Sequence, residues 1–165
     1  LDHVVAERPQ TLVRRIRQNH GLEHATLHML AGKANARVTG LSDPWGYTLF
    51  GNLTQAQVQR AASDALLRMQ AGERNLAIHP NCGTNLAVKA ALAAAAALLA
   101  QAGKRGLYDQ FARTLLFILP ALILGEPLGY RVQALTTTGD VADRWIVTVQ
   151  RLEFGPLVIN RVTTE

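Results

Sequence analysis

LAVKAALAAAAALLAQAG, residues 86–103, and LYDQFARTLLFILPALILG, residues 107–125, are the stretches that decide the fold of this chain. The first contains one charged residue, Lys89, and the second confines Asp109 and Arg113 to its first third. At about 1.5 Å per helical residue, segments of 18 or 19 residues just span a hydrocarbon core of about 30 Å. The two segments therefore predict a helical hairpin that crosses a membrane twice.

A soluble alternative exists for the same two segments. Their strictly uncharged runs are shorter, 14 residues in 90–103 and 12 residues in 114–125, and such lengths are as typical of buried helices in soluble proteins. The alternative is an alanine-rich helical pair within a soluble core. We favour the membrane because small residues allow close helix packing and because charges near the segment ends can reach the headgroups.

The hairpin divides the chain into three predicted parts. Residues 1–85 form an α+β metal-binding module, residues 86–126 form the transmembrane hairpin, and residues 127–165 form a C-terminal β element. The sequence Glu153-Phe-Gly-Pro lies between two β-rich stretches of that last part and predicts a β-hairpin. We expect a two-pass protein of the inner (cytoplasmic) membrane, with its soluble parts in the cytoplasm.

The stretch NHGLEHATLH, residues 19–28, carries the candidate metal ligands. His20 and His24 are four residues apart, so on an α-helix they share a face and can bind one metal ion. Glu23 gives the order H-x-x-E-H, which is the reversed zinc-protease arrangement. In that arrangement the glutamate takes a proton from metal-bound water and does not bind the metal. The alternative is that both histidines are ordinary polar residues on a helix surface.

The role of His28 is ambiguous. It shares a face with His24 but lies about 12 Å along the helix axis from His20, so the three histidines cannot bind one ion on a straight helix. A pair of His24 and His28 would have no glutamate in either protease position. We therefore expect His28 to support the site or to be a hydrogen-bonded core histidine.

The loop His79-Pro-Asn-Cys82 is the second group of candidate ligands. A histidine and a cysteine separated by two residues resemble half of a zinc site. The most favoured candidate for the third ligand is His79. Cys82 is the next choice, and Glu73 comes after it. A closed set of His20, His24, His79 and Cys82 would make a structural zinc site, whereas three ligands and a water would make a catalytic one. The alternative is a helix-entry loop, in which Thr84 or Asn85 caps the next helix and Cys82 is merely buried.

Local signals predict several further elements. An apolar stripe beginning at Leu12 continues through His20 and His24 and predicts an amphipathic helix, in which Gly21 allows close approach of another segment. Asp43-Pro-Trp-Gly predicts a turn between two strands. Thr54 and Gln57 form a capping box that opens a second helix ending at Gly72. Residues 76–78 are expected to form a short strand.

Composition limits the classes of partner. The chain has 17 Lys+Arg against 12 Asp+Glu, a formal charge of +5, and a pI near 10.0, which suits anionic lipid headgroups as well as nucleic acid. Aromatic residues make up only 5% of the chain and provide few stacking platforms, so we expect no nucleic-acid partner. The single cysteine, Cys82, excludes an intramolecular disulfide.

The strings HGLEHATLHML, DPWGYTLFGNL and AGERNLAIHPNCGTNL, followed by the apolar hairpin, carry a resemblance. Together they resemble a family of uncharacterised bacterial two-helix membrane proteins, a domain of unknown function, over about residues 15–165. That resemblance implies a two-helix membrane anchor and no established activity. A more distant similarity to zincin metallopeptidases implies a small zincin-like module of helix and strands. The order H-x-x-E-H differs from their H-E-x-x-H and is shared with the inverzincins.

These observations lead to two alternative functions. As an enzyme, the protein would be a membrane-anchored zinc-dependent hydrolase of the metallopeptidase type. His20 and His24 would then bind the metal, His79 or Cys82 would complete the site, and Glu23 would be the general base. The alternative is a non-catalytic accessory subunit that binds protein partners in a larger membrane complex. The lipid bilayer is an expected partner in either case.

Overall fold

The computed structural model describes residues 11–31, 38–103 and 106–165, and within these residues the fold is α+β as expected. The chain divides into two compact units. One is formed by the described parts of residues 1–77 together with residues 137–165, and the other by the described parts of residues 78–136. The first unit is therefore discontinuous in sequence, and the second is inserted into it.

The first unit is built on an antiparallel sheet, four-stranded among the described residues, in the order β1-β2-β4-β3. In chain order, β1 is Thr39–Asp43, β2 is Gly46–Phe50, β3 is Ile146–Phe154 and β4 is Leu157–Thr164. The C-terminal strand β4 lies between β2 and β3 and pairs with both, for example Tyr47 with Val162. The C-terminal β-hairpin is thus confirmed, and it forms half of the sheet.

Both predicted turns connect adjacent strands. In the turn between β1 and β2, the Asp43 carboxylate accepts a hydrogen bond from the Trp45 N–H at 2.8 Å, and Gly46 has φ +148°. In the turn between β3 and β4, Gly155 has φ +61°, a conformation that favours glycine because it has no Cβ. The turn chemistry of both segments is local, which explains why it can be recognised in sequence.

Two helices pack against this sheet: α1 is Leu12–Leu30 and α2 is Gln55–Gln70. The predicted capping box of Thr54 and Gln57 is present, with both reciprocal hydrogen bonds formed. This box satisfies backbone donors that the first helical turn leaves unpaired. The fully buried apolar side chains of this unit include Leu22, Tyr47, Leu49, Leu53, Val58, Ala62, Ala65 and Val162.

The expected strand at residues 76–78 is wrong, because Arg74–Ala77 form a 3₁₀ helix. The Leu76 N–H donates to the Glu73 carbonyl and the Arg74 N–H donates to the Gly72 carbonyl. Because these bonds are local, the backbone N–H groups of the segment are satisfied without pairing to a strand. Leu76 and Ala77 are buried, which accounts for the apolar composition that suggested a strand.

The second unit contains two helices in its described residues: α3, Gly83–Ala100, and α4, Leu107–Thr136. Both are long and apolar enough to cross a membrane, and only 17% and 6% of their most apolar windows are buried. Helix α4 continues to Thr136, well beyond the predicted end of its apolar segment. Gly125 packs on Lys89 and Gly129 packs on Asn85, so the two helices approach closely along one line.

Candidate metal centre

Helix α1 brings the imidazoles of His20 and His24 together, as the spacing predicted. Their ring centroids lie 4.4 Å apart with an interplanar angle of 63°. His24 is 1% exposed and His20 is half-buried, so the pair lies at the edge of the interior of the first unit. A helical pair of this kind supplies two nitrogen ligands to one metal ion.

A backbone carbonyl orients the buried histidine. His24 Nδ1 lies 2.7 Å from the carbonyl oxygen of Ala77. A carbonyl can only accept, so Nδ1 carries a proton and donates it, and the neutral ring then has its lone pair on Nε2. Histidine ligands of metals are commonly held in this way by a hydrogen bond from the other ring nitrogen. The arrangement therefore fits His24 as a metal ligand.

Cys82 is the N-cap of α3, in place of Thr84 or Asn85. Its side chain is 5% exposed, and its Sγ accepts a hydrogen bond from the Thr84 N–H at 3.4 Å. A cysteine sulfur is one of the atoms that bind zinc in proteins. Cys82 therefore combines a structural role in the loop with a suitable ligand atom.

His20, His24 and Cys82 form a group that could hold a metal ion. His79, the expected third ligand, is not part of this group. Its Nδ1 accepts a hydrogen bond from the Asn81 N–H at 3.2 Å, and this bond stabilises the conformation of the loop. Its participation in metal binding stays a prediction.

No sequence pattern indicated which residue holds the HPNC loop in place. Gln133 of α4 is fully buried. Its side chain accepts from the His79 N–H at 2.7 Å and donates to the His79 carbonyl at 3.0 Å and to the Asn85 side chain at 3.2 Å. Asn85 in turn donates to the Pro80 carbonyl at 3.1 Å. Two buried amides thus satisfy the polar backbone of the loop.

Glu23 is 4% exposed and faces strand β1. The Ser42 hydroxyl donates a hydrogen bond to its carboxylate. A Cβ added to Gly40 would lie 2.3 Å from the same carboxylate, so only glycine leaves room for it there. Whether Glu23 stays off the metal is not tested by this geometry. Its role as general base stays a prediction.

A buried tyrosine lies near this carboxylate. Burial raises the pKa of the Tyr47 hydroxyl above its usual range, and the negative charge of Glu23 raises it further, whereas the bond to Thr26 lowers it. The hydroxyls of Tyr47 and Thr26 are 2.7 Å apart. Tyr47 therefore stays neutral at any physiological pH and serves as a packing and hydrogen-bonding residue.

Comparison with known proteins places the chain in a family. No solved structure matches it, and the similarity to zincins finds no support. An uncharacterized protein of Picosynechococcus sp. is 42% identical over 89 residues, which cover 48% of this chain and 43% of that relative. The chain thus matches less than half of the relative's length. The family model described as Domain of unknown function (DUF6391) matches residues 15–149, most of the chain, and the chain belongs to this family.

Proposed function

We propose that this protein is a membrane-anchored metal-binding protein in which His20, His24 and Cys82 hold a zinc ion. The group of two imidazoles and one thiol, with His24 oriented by Ala77, is the observation that carries the proposal. Nitrogen and sulfur ligands suit zinc, whose protein sites use three or four of them. With three protein ligands, a fourth position is left for water, for a partner's side chain, or for His79.

Metal analysis of the detergent-purified full-length chain tests this proposal. We expect about one zinc per chain, and loss of the metal in His24→Ala. Cys82→Ser is the sharper variant, because the serine hydroxyl still caps α3 but provides no thiolate. It should therefore keep helix content and lose metal. His28→Ala changes a half-buried histidine of the same helix and should keep the metal. Zinc retention by Cys82→Ser at the wild-type level would contradict the ligand set.

The proposed anchor is the pair of α3 and α4, in the inner (cytoplasmic) membrane, with the soluble parts in the cytoplasm. The support is the length and apolar composition of both helices, whose large apolar side chains are mostly exposed within their own unit. Carbonate extraction tests the anchor, since the chain should remain in the membrane pellet. Release into the supernatant as a monodisperse protein would favour the alternative of a soluble helical pair.

The contacts of Glu23 favour the non-catalytic alternative, an accessory subunit of a larger membrane complex. A general base must reach metal-bound water, whereas this carboxylate already accepts from Ser42 and packs on Gly40 of β1. The group of three ligands favours the other alternative, a zinc hydrolase, because catalytic sites keep a position for water.

Glu23→Gln distinguishes these two functions. In a hydrolase the variant should keep its zinc and lose turnover by about 10² to 10⁴, the usual contribution of general-base catalysis. In an accessory subunit the variant should keep zinc, and partners that co-purify with the wild-type chain should still co-purify. Ser42→Ala is the matched variant, because it removes the observed partner of Glu23 without changing its charge.

A further inference from the structure

Arg144 is a buried cation that has no close anionic partner in the described part of the chain. Its side chain is 2% exposed and lies just before β3. One of its terminal nitrogens donates to the Asn19 side chain at 3.4 Å, and its buried Nε has no hydrogen-bond partner. Among residues 11–31, 38–103 and 106–165, no carboxylate lies within 4.0 Å of its guanidinium. Buried guanidiniums are always charged and normally pair with an anion.

A second arginine adds like charge to the first. Arg15 lies one helical turn before Asn19, on the same face of α1, and its Nε is also buried without an acceptor. Burial lowers the pKa of Arg144, and the neighbouring charge of Arg15 lowers it further. Arg15 is half-buried, so part of its side chain is accessible to solvent.

The nearest acidic group is already engaged. The Asp143 carboxylate lies 3.1 Å from an Arg14 nitrogen and accepts a hydrogen bond from the Gln18 side chain at 2.7 Å. Asp140 lies 3.7 Å from the same Arg14 nitrogen. Both acids are therefore matched to Arg14, so within the residues that the structure describes the charges of Arg15 and Arg144 exceed the anionic charge beside them.

We propose that Arg15 and Arg144 form a binding site for a phosphate group. A guanidinium offers several N–H donors in a fixed plane and no acceptor, which matches the several acceptor oxygens of a phosphate. One phosphate group between the two arginines would occupy the unpaired Nε–H donors of both residues and supply the missing negative charge. The group could belong to inorganic phosphate or to the headgroup of an anionic phospholipid, since both present the same oxygens.

Thermal unfolding of the detergent-purified full-length chain tests the site. Inorganic phosphate should raise the midpoint of unfolding in a saturable way that sodium chloride of equal ionic strength does not reproduce. Arg15→Gln should weaken the apparent affinity by about tenfold or more, as expected for loss of a charge-assisted hydrogen bond. Arg60→Gln, an exposed arginine of α2 in the same unit, should change it less than about twofold.

A second arm distinguishes the two sources of phosphate. The same measurement is made in mixed micelles that contain phosphatidylglycerol or, as control, phosphatidylcholine. Stabilisation by inorganic phosphate that depends on Arg15 supports a free ligand, and stabilisation by phosphatidylglycerol alone, with the same dependence, supports a lipid headgroup. Absence of stabilisation in both arms, or equal stabilisation of Arg15→Gln and the wild type, would overturn the proposal. Because the variant changes Arg15 and leaves Arg144 in place, the test does not depend on folding without the buried residue.

Discussion

Gly21 shows how one missing side chain shapes the first unit. A Cβ at this position would lie 2.2 Å from the Thr138 carbonyl oxygen and 3.3 Å from the Ala77 Cβ. Alanine would gain about 1 kcal/mol of helix propensity, but crowding in a packed interior costs about 1–3 kcal/mol. The crowding should dominate here because the nearest atom belongs to the backbone. We predict that Gly21→Ala lowers the free energy of unfolding by about 1–2 kcal/mol in chemical denaturation.

Gly83→Ala is the matched control, since Gly83 is also a helix glycine and an added Cβ there would meet nothing within 4 Å. That variant should be as stable as the wild type or slightly more stable. Equal stability of Gly21→Ala and the wild type would mean that the segment around Thr138 can move away from α1.

The ion pair of Asp43 and Arg161 predicts a pH dependence. Two arginine nitrogens donate to the two carboxylate oxygens at 2.5 and 2.9 Å, and this hydrogen bonding holds the pKa of Asp43 below its usual value. A lowered pKa in the folded state stabilises the protein above the unfolded pKa, which is about 3.9, and the effect is lost as pH falls through the folded pKa. Asp43→Asn should therefore be less stable than the wild type above about pH 5.

The difference in the free energy of unfolding between Asp43→Asn and the wild type should be constant from about pH 5 to pH 8 and should shrink below about pH 4. Urea denaturation at a series of pH values measures it. Because the carboxylate is partly exposed, we expect a small effect, below about 1 kcal/mol. A difference that grows as the pH falls would contradict the ion pair as its source.

Among the helices and strands, the caps and turns could be predicted from the sequence, whereas the buried face of α1 could not. The capping box at Thr54 and both β-turns depend on residues within three or four positions of one another. Neighbouring residues alone are therefore enough to predict them. The apolar stripe of α1 predicted the helix correctly, but Leu12 and Ile16 are exposed while Gln18 and Asn19 are buried. Those amides are buried because distant backbone carbonyls, of Asp140 and Asp43, accept their hydrogen bonds.

In the candidate site, too, the features fixed by nearby residues could be predicted and those fixed by distant contacts could not. The spacing of His20 and His24 on one helix was enough to predict their pairing, because helical geometry fixes it. Which residue of the HPNC loop could join them depends on how that loop is held, and Gln133, which holds it, is 54 residues from His79 in sequence. A contact at that separation has no periodic or spacing signal.

The close approach of α3 and α4 depends on two glycines one helical turn apart. A Cβ at Gly125 would lie 2.9 Å from Lys89 Cγ, and one at Gly129 would lie 3.1 Å from Asn85 Cα. Small residues at this spacing are typical of tightly packed helix pairs in membranes. We predict that Gly129→Leu lowers the midpoint of thermal unfolding in detergent, because a bulky side chain separates the helices and breaks the bonds of Asn85.

Leu128→Val is the control for that change, since Leu128 is an exposed neighbour on the same helix. Its midpoint of unfolding should stay close to that of the wild type. If Gly129→Leu unfolds at the wild-type temperature, the two helices do not depend on close contact at this line.

At the scale of the whole molecule, the second unit is an insertion. The chain leaves the first unit at Ala77 and returns at Thr137, and Ala77 and Thr138 both contact the same point of α1, at Gly21. A short connection can therefore replace everything between them. We predict that a chain in which a short Gly/Ser linker replaces residues 78–136 is water-soluble without detergent and unfolds cooperatively. It should bind no zinc, because Cys82 is absent.

The complementary test is a chain that ends after residue 136, which keeps the second unit and removes the C-terminal part of the first. It keeps the apolar helices but lacks β3 and β4, so Tyr47 and Leu49 lose the strand that pairs with β2. We expect no cooperative unfolding of the first unit in circular dichroism. Aggregation of the linker-joined chain, together with a folded first unit in the shortened one, would contradict the insertion.

The two-helix segment and the C-terminal hairpin could be recognised from composition and turn residues, but the order of the strands could not. Pairing of Tyr47 with Val162 joins residues that are more than one hundred positions apart, and neither strand carries a mark of its partner. We predicted a separate C-terminal β element because the sequence pattern reports on neighbouring residues and not on which distant strands pair.

The position of β4 between β2 and β3 has a consequence for how the protein is made. Among the described elements, a ribosome releases α1, β1, β2 and α2 before the two apolar helices, and it releases β4 after all of these. Until then the nascent chain exposes the open edge of β2 and the core residues that β4 covers, a surface that other chains can bind. Any insertion machinery therefore meets the apolar pair before the sheet can close. The sheet can close only after β4 has been made, so a chain released before that point has an apolar pair but no completed sheet.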